Sequence, residues 1–343
     1  MQKMGNVNAI CGSAKMKQSK AVNFLKGFSI CTIVLMHLLQ SYPLPGWAMK
    51  ATAFGGAGVH VFILCSGFGL YLSHLNKPLG YKDFLRKRAA RVYWPMAIVC
   101  MATTAWMAFE GKEVLWPLLG NLLLFKMFVP ELETSMGVQM WFVSTIIQFY
   151  LAWPLILRLM KVKTGGVIAL VVSLLWSTVV GLTGHAEERV WNSFFLQYLW
   201  EFYLGMKLAE WYVKRPAQLQ IPQWKHLLPI CVIGMVLTGT MGWLGFPWKL
   251  YNDIPSLVSY MTLALIFYKI GITWVNDFFC YTNRFSYEWY LVHILMFQVI
   301  VYAMDGHGPV IIEASVCFVF SYLVAMGYGR LWNKRKKRIA KVK

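Results

Sequence analysis

Long apolar blocks separated by short polar segments are the feature that most limits what this chain can fold into. Most blocks are about 18–22 residues long, the length that an α-helix needs to cross a hydrocarbon core of about 30 Å. The alternation of apolar and polar side chains that is typical of a membrane β-barrel is absent from the sequence. The pattern therefore predicts an all-α integral membrane protein with a bundle of about ten transmembrane helices. The predicted spans are residues 27–46, 52–73, 92–109, 138–157, 165–182, 193–213, 227–246, 253–271, 286–304 and 309–331.

The charged residues predict how these spans are oriented. The 343 residues include 33 Lys and Arg against 14 Asp and Glu, a balance that would suggest a nucleic-acid partner in a soluble protein. Here the cations occur in short clusters between apolar blocks, as the positive-inside rule describes. With the N-terminus inside, all cations fall in cytoplasmic segments except Lys50, Lys112, Lys126, Arg189 and Lys249. We therefore expect both termini in the cytoplasm, the lipid bilayer as a partner, and no nucleic acid.

An eleventh apolar block, residues 115–129, is shorter and contains Pro117, Asn121 and Lys126. If it crossed the membrane, the basic segments 158–163 and 334–338 would move to the outer side, against the positive-inside rule. We therefore expect a short interfacial or re-entrant helix on the outer side. Irregular backbone at that depth must be covered by protein or line a wet cavity.

The sequence divides into one membrane domain and two basic tails. Residues 1–20 form a polar, basic tail, residues 21–332 hold the predicted spans, and residues 333–343 form the second tail. The first apolar block lacks a small-residue cleavage site, so we expect a retained span and not a signal peptide. The seven cysteines are scattered without a C-x-x-C pair, so neither a disulfide framework nor a metal site is predicted.

Titratable side chains inside spans are functional candidates, because burying them in a membrane costs free energy unless they are paired. His37 is near the middle of the first span, and Lys26 precedes it by eleven residues. Eleven helical residues make about three turns and rise about 16 Å, so both side chains lie on one face, with the cation at the cytoplasmic boundary. A neutral imidazole there can take a proton from a hydroxyl. The alternative is a buried histidine hydrogen-bonded to a neighbouring helix, and the spacing alone favours neither.

The segment Tyr81–Pro95 after the second span is strongly basic. In an α-helix, Arg88 and Arg91 at i and i+3 would face one side, with Lys87 beside Arg91. Guanidinium groups hold phosphate through paired hydrogen bonds. The cluster could bind a phosphorylated cofactor or an anionic lipid head group, although positive-inside topology explains most such loops.

Two later features leave several interpretations open. Small residues are dense from Gly55 to Gly69, which permits close helix packing and also leaves room for a thin ligand; packing is favoured. Glu201 in the sixth span could orient an imidazole, bind sugar hydroxyls, pair with an arginine of a span, or be protonated and structural.

Six segments together resemble the motifs of the acyltransferase 3 family, whose members are membrane acyltransferases that modify surface polysaccharides, peptidoglycan and lipid-linked sugars. The segments are Lys26 with His37, Val61–Phe68, Phe84–Pro95, Trp141–Leu151, Glu201–Gly205 and Ser286–His293. They occur in the family's order on a ten-span frame, and the resemblance covers roughly residues 21–330.

Some positions depart from the family's pattern. Lys26 stands where members usually have arginine, and His60 where they have an acidic or apolar residue. Ile146 and Ile147 replace glutamates that many members have before Gln148, so no acid role is assigned there.

The resemblance implies a reaction and the residues that carry it out. Acyl-CoA approaches from the cytoplasm with its phosphates at Arg88, Arg91 and Lys26, and its thioester reaches His37. His37 acts either as a general base toward a sugar hydroxyl or as a transient acyl carrier, and the sequence leaves both routes open. The expected reaction is O-acylation, with acetyl as the expected group, of a cell-surface or lipid-linked glycan. The expected location is the bacterial plasma membrane, with multiple passes.

The remaining site predictions concern catalysis, cofactor binding and acceptor binding. Glu201 and His293 are further catalytic candidates, Lys87 and Arg86 are further cofactor-binding candidates, and His60, Trp141, Gln148 and Tyr290 are candidates for binding the acceptor.

Two other functions are compatible with the sequence. A transporter or flippase for a lipid-linked sugar or polysaccharide would share the many spans and the basic inner face, but it needs neither an aligned cation and histidine nor a cofactor loop. A structural or sensory membrane subunit would use its histidines only for packing. No sequence pattern indicates the acceptor, the acyl chain or the oligomeric state.

Overall fold

Helices form all the regular secondary structure in the parts of the chain that the structure describes. The computed structural model describes residues 20–215, 221–304 and 309–341, with side chains up to Lys334. No strand occurs within those ranges, and the all-α prediction is confirmed. Residues 1–19 of the predicted N-terminal tail lie outside the described residues. The α-helices in chain order are α1 Lys20–Gln40, α2 Gly46–Ala53, α3 Gly58–Asn76, α4 Tyr81–Arg88, α5 Trp94–Phe109, α6 Leu115–Leu122, α7 Trp141–Leu151, α8 Trp153–Leu159, α9 Gly165–Leu182, α10 Arg189–Asn192, α11 Leu199–Lys214, α12 Trp224–Leu244, α13 Asp253–Ile270, α14 Thr273–Thr282, α15 Ser286–Met304 and α16 Val310–Lys341.

Eight helical segments among the described residues are long and apolar enough to cross a membrane. They are Lys20–Gln40, Gly46–Asn76, Tyr81–Phe109, Gly165–Leu182, Trp224–Leu244, Asp253–Ile270, Thr273–Met304 and Val310–Lys334. Each contains most of one predicted span, and several begin earlier than predicted because a polar or glycine-containing segment continues the helix. The protein is therefore a multi-pass helical membrane protein.

The predicted span 138–157 is bent. Val138–Leu151 and Trp153–Leu159 meet at an angle of 63°. Pro154 lies in the first turn of the second piece, where it has no N–H to donate and its ring would clash with the carbonyl of Tyr150 in a continuous helix. Counted as one broken span, this pair raises the number of candidate spans to nine.

The predicted span 193–213 is shorter in the structure. Helix α11 has 16 residues, which is about 24 Å against a hydrocarbon core of about 30 Å. The four-residue α10 and a series of turns occupy the residues before it. A total of ten spans requires α11 to cross the membrane. That count and the cytoplasmic placement of both termini stay predictions.

Residues 115–129 form a short helix and a separate turn. Helix α6 has eight residues, about 12 Å, and a 3-10 turn follows at Lys126–Phe128. This segment is too short to cross a membrane as a helix. Its placement at the outer side stays a prediction.

Two glycines let α3 and α11 pack backbone against backbone. A Cβ on Gly67 would overlap the carbonyl oxygen of Phe202, and a Cβ on Gly205 would overlap that of Leu64. Small residues permit this approach, so close packing accounts for Gly67 within the small-residue stretch of the second span. The contact fixes the middle of α3 against the first turns of α11.

Helix α1 lies inside the bundle, against α3, α14 and α15. Its apolar side chains Phe24, Ile30, Ile33 and Val34 are fully buried, and this burial stabilises the helix in the protein interior. Polar side chains on α1 therefore lie close to these neighbouring helices.

Candidate active site

Two histidines from opposite ends of the chain meet inside the bundle. Nδ1 of His37 on α1 lies 2.8 Å from Nε2 of His293 on α15. The two ring planes differ by 11°, which is consistent with a hydrogen bond lying close to both planes. His293 is fully buried and His37 is half-buried. The structure thus joins two of the predicted catalytic residues in one pair.

The hydrogen bonds of this pair determine where its protons lie. Nδ1 of His293 is 3.0 Å from the carbonyl oxygen of Trp289, and because a carbonyl only accepts, this nitrogen is the donor. Nε2 of a neutral His293 is then an acceptor, so His37 must donate from Nδ1. Nε2 of His37 keeps its lone pair. In the neutral pair it is the nitrogen that can act as a base or a nucleophile.

A cavity of about 470 Å³ lies at the predicted cytoplasmic side of the bundle. Four of its lining residues are cations, Lys26, Lys87, Arg91 and Arg284, against one acid, Glu288. A cavity of this volume is within the range of small-molecule sites. The excess of cations suits a ligand that carries phosphate groups.

Tyr290 connects this cavity to the histidine pair. Its side chain lines the cavity, its ring centroid is 6.0 Å from that of His293, and its hydroxyl donates to the carbonyl of Gln139. His293 follows Tyr290 by three residues, about 4.5 Å along α15. Neither histidine is among the described residues that line the cavity. Tyr290 therefore stands between the cavity and the pair.

The basic segment is helical, but part of it is not an α-helix. Ala89–Tyr93 forms a π turn, in which hydrogen bonds run from i to i+5. Lys87 and Arg91 line the cavity, whereas the guanidinium of Arg88 lies over the ring of Phe84, 5.7 Å from its centroid. The expectation that Arg88 and Arg91 share one face assumed a regular helix, and it does not hold.

A second polar cluster surrounds His60 on α3. Its Nδ1 is 2.7 Å from Oε1 of Glu201, and its Nε2 is 3.7 Å from Oδ1 of Asp253. Gln197 donates from Nε2 to Oδ2 of Asp253 at 2.7 Å and to the carbonyl of Leu250 at 2.8 Å. The imidazole that Glu201 orients is thus that of His60 and not that of His37.

Aromatic rings border this cluster. The ring centroid of Tyr198 is 5.8 Å from that of His60 and 5.9 Å from that of Trp141. The guanidinium of Arg189 lies 5.0 Å from the ring centroid of Trp141. Trp141 and His60, both predicted at the acceptor site, are therefore linked through Tyr198.

The family model described as an acyltransferase domain matches residues 19–330. The chain belongs to the acyltransferase 3 family. No protein of curated function and no solved structure matches it significantly.

Three predicted site residues of the acyltransferase are not among the described residues that line the cationic cavity. Oε1 of Gln148 accepts a hydrogen bond of 3.0 Å from the main-chain N–H of Phe195, so this side chain holds the turns before α11. Arg86, like Arg88, is not among the described residues that line the cavity. Roles for these three side chains in binding stay predictions.

Three residues of the acyltransferase sites escaped the sequence analysis. Arg284 lines the cavity, Asp253 contacts His60, and Arg189 lies on Trp141. Only Arg189 carried a signal, because it is one of the five cations outside the predicted cytoplasmic segments. Asp253 and Arg284 lie at helix ends, where charged residues are ordinary.

A buried lysine holds the loop that precedes Trp141. Nζ of Lys126 donates to the carbonyls of Ser135 and Gly137. Burial lowers the pKa of Lys126 to about 7, because a charge is poorly solvated there. Oε2 of Glu133, in the same loop, accepts a hydrogen bond of 3.0 Å from the main-chain N–H of Arg189. The loop thereby fixes both Trp141 and Arg189.

Proposed function

We propose that this protein is a membrane O-acyltransferase that moves an acyl group, with acetyl as the first candidate, from cytoplasmic acyl-CoA to a hydroxyl of a cell-surface or lipid-linked glycan. The family supports acyl transfer in general. The donor, the acyl group and the acceptor belong to the proposal. Its proposed location is the bacterial plasma membrane.

The observation that carries the proposal is the alignment of a cationic cavity with a histidine pair. Lys26 and His37 lie on one helix, and Arg91 lines the same cavity as Lys26. The cations suit the phosphates of CoA, and Tyr290, which lines the cavity, lies about one helical turn from His293. A transporter requires no such pairing of a phosphate-binding cavity with a base.

Nε2 of His37 serves both chemical routes that we consider. As a general base, it takes the proton of the acceptor hydroxyl while the hydroxyl oxygen attacks the thioester carbonyl. The C–S bond then breaks, and the departing CoA thiolate takes the proton from the imidazolium. As an acyl carrier, Nε2 attacks the carbonyl itself, the C–S bond breaks, and CoA departs as the thiolate from an acylated imidazolium. In a second step the acceptor oxygen attacks the acyl carbon, the C–N bond breaks, and the proton of the acceptor hydroxyl goes to the CoA thiolate.

The test compares the ester content of the surface glycan in cells that express the wild type, His37→Ala or His226→Ala. His226 is an exposed histidine outside the pair and serves as the matched control. We expect ester loss with His37→Ala alone, at equal protein levels. Unchanged acylation in well-expressed His37→Ala would remove the central residue from the mechanism and refute the proposal.

A second measurement distinguishes an enzyme from a transporter. Purified protein in lipid nanodiscs is given acetyl-CoA with an extract of the glycan that loses its ester. Release of free CoA that depends on both the extract and His37 supports transfer. Movement of lipid-linked sugar without CoA release would support the transporter instead.

A further inference from the structure

Arg189 presents its guanidinium on the ring of Trp141. The guanidinium carbon lies 5.0 Å from the ring centroid, a distance typical of a cation–π contact. The residue begins α10, and its main-chain N–H donates to Oε2 of Glu133 at 3.0 Å. Both the backbone and the side chain of Arg189 are therefore held in place, although the side chain is exposed.

The hydrogen-bond donors of this guanidinium are free. Stacking on a ring uses the flat face of the group, whereas its five N–H bonds point outward along its edge. Among the described residues, none accepts a hydrogen bond from the Arg189 side chain, and none forms an ion pair with it within 4.0 Å. The edge that suits a carboxylate or a phosphate is thus available.

The nearby carboxylates have another partner. His60 lies between Glu201, at 2.7 Å, and Asp253, at 3.7 Å, and Gln197 donates to the second oxygen of Asp253. These acids are held by His60 and Gln197, and so Arg189 is not needed as their contact partner. Arg189 interacts electrostatically with Asp253, but it forms no ion pair with it within 4.0 Å, and the edge of its guanidinium stays open to a ligand.

Arg189 also lies close to the histidine pair. It interacts electrostatically with His37 as well as with His60. Ring contacts run from Trp141 to Phe142 at 6.2 Å and from Phe142 to Tyr290 at 5.2 Å, and Tyr290 packs on His293. A ligand group bound at Arg189 would therefore be near the proposed base, at a residue that does not line the cationic cavity.

We propose that Arg189 binds an acidic group of the acceptor, so that the preferred acceptor is a sugar that carries a carboxylate or a phosphate ester near the hydroxyl to be acylated. The proposal rests on the proposed function and names the substrate class of the same site. The edge of the guanidinium would bind two oxygens of the acid, while the ring of Trp141 fixes the orientation of the guanidinium plane.

The test measures binding of three probes to purified protein in nanodiscs by titration calorimetry. The probes are methyl β-D-glucuronide, glucose 6-phosphate and the neutral methyl β-D-glucoside. The variants are Arg189→Gln and the matched control Lys249→Gln, since Lys249 is an exposed cation that also lies over an aromatic ring, 5.2 Å from the centroid of Phe246. We expect the wild type and Lys249→Gln to bind at least one acidic probe about tenfold more tightly than the neutral sugar.

Arg189→Gln should lose this preference while its affinity for the neutral sugar stays the same. Preference for the glucuronide alone identifies a carboxylate as the acidic group, and preference for the phosphate alone identifies a phosphate ester. Equal binding of acidic and neutral probes, no binding of either acidic probe, or an unchanged preference in Arg189→Gln would overturn the inference.

A parallel titration with CoA separates this inference from the proposed function. Arg189→Gln should bind CoA as the wild type does, because Arg189 does not line the cationic cavity. Failure of the wild type to bind CoA would count against the proposed function. Normal CoA binding without an acidic-sugar preference would count against the role of Arg189 alone.

Discussion

The position of one proton decides which nitrogen of His37 can react. The carbonyl of Trp289 fixes the proton of His293 on Nδ1, and Nε2 of His293 then fixes the proton of His37. In the proposed mechanism His293 is therefore a positioning residue, since it would act through His37. Without it, either tautomer of His37 would be available, and the base would spend part of its time with the proton on the reactive nitrogen.

His293→Ala should lower kcat for acyl transfer on the order of 10²-fold, the low end of the range for a positioned base. The KM for acyl-CoA should not change, because His293 does not line the cavity. His293→Gln should recover part of the rate, since its amide oxygen can accept from Nδ1 of His37. Initial rates of CoA release measure both constants. An increase in KM at unchanged kcat would contradict the positioning role.

Arg91, which lines the cavity, and Arg88, which does not, allow a matched test of whether the cavity binds CoA. Arg91→Gln should raise the KM for acyl-CoA about tenfold, because a charged hydrogen bond to phosphate is lost, and kcat should stay similar. Arg88→Gln should leave the KM almost unchanged, because this guanidinium lies over Phe84 and outside the cavity. Equal effects of the two substitutions on KM would mean that the cavity is not the CoA site.

At the scale of helices, local irregularities position the site. The π turn at Ala89–Tyr93 brings Lys87 and Arg91 to the cavity, and the glycine contact between α3 and α11 brings His60 to Glu201. Both features require backbone geometry that a uniform helix with large side chains would not allow.

Gly205→Ala should destabilise the protein by about 1–3 kcal/mol, because the new methyl group overlaps the main-chain oxygen of Leu64 and backbone cannot move aside cheaply. Gly69→Ala is the control, since its added Cβ has no neighbour within 4 Å and alanine favours the helix by up to about 1 kcal/mol. Thermal unfolding in detergent should show a lower midpoint for Gly205→Ala alone. A similar fall in both variants would indicate that glycine flexibility, and not close packing, is required.

The order of helices was predictable where it depends on local hydrophobicity, and the site was predictable only in part. Eight of the predicted spans coincide with helices that can cross a membrane, because apolar length is a property of a continuous segment. The pairs of His37 with His293 and of His60 with Asp253 join distant segments, so no spacing in the sequence indicates them. The prediction that Arg88 and Arg91 share one helix face failed for a different reason. The π turn adds one residue to a turn and so changes the face on which every later side chain lies.

At the scale of the whole molecule, the positive-inside rule and the helix lengths both indicate how many times the chain crosses the membrane. The cations predict ten spans, whereas helix length and composition give eight, or nine with the bent pair. The difference depends on α11, which has 16 residues. A short helix can cross if the bilayer thins around it or if other helices surround it.

Labelling with a membrane-impermeant maleimide tests whether α11 crosses. Glu187→Cys and Lys214→Cys introduce thiols at exposed positions before and near the end of α11. We expect labelling of position 187 in intact cells and labelling of position 214 only after permeabilisation, with the wild-type protein as the baseline. Labelling of both positions from the same side would mean that α11 does not span the bilayer.

In the proposed mechanism, the histidine pair also determines when the protein becomes competent during its synthesis. Its two rings are separated by 256 positions along the chain, so the ribosome completes most of the polypeptide, and the insertion machinery admits α15, before the second imidazole exists. Until then no residue holds the tautomer of His37. A nascent chain that is already exposed to cytoplasmic thioesters therefore has no assembled pair with which to react with them. In the proposed mechanism, chains that stall or are cleaved before α15 would lack the residue that fixes this tautomer and should transfer acyl groups more slowly. Supplying that helix as a separate peptide would be the way to restore the rate.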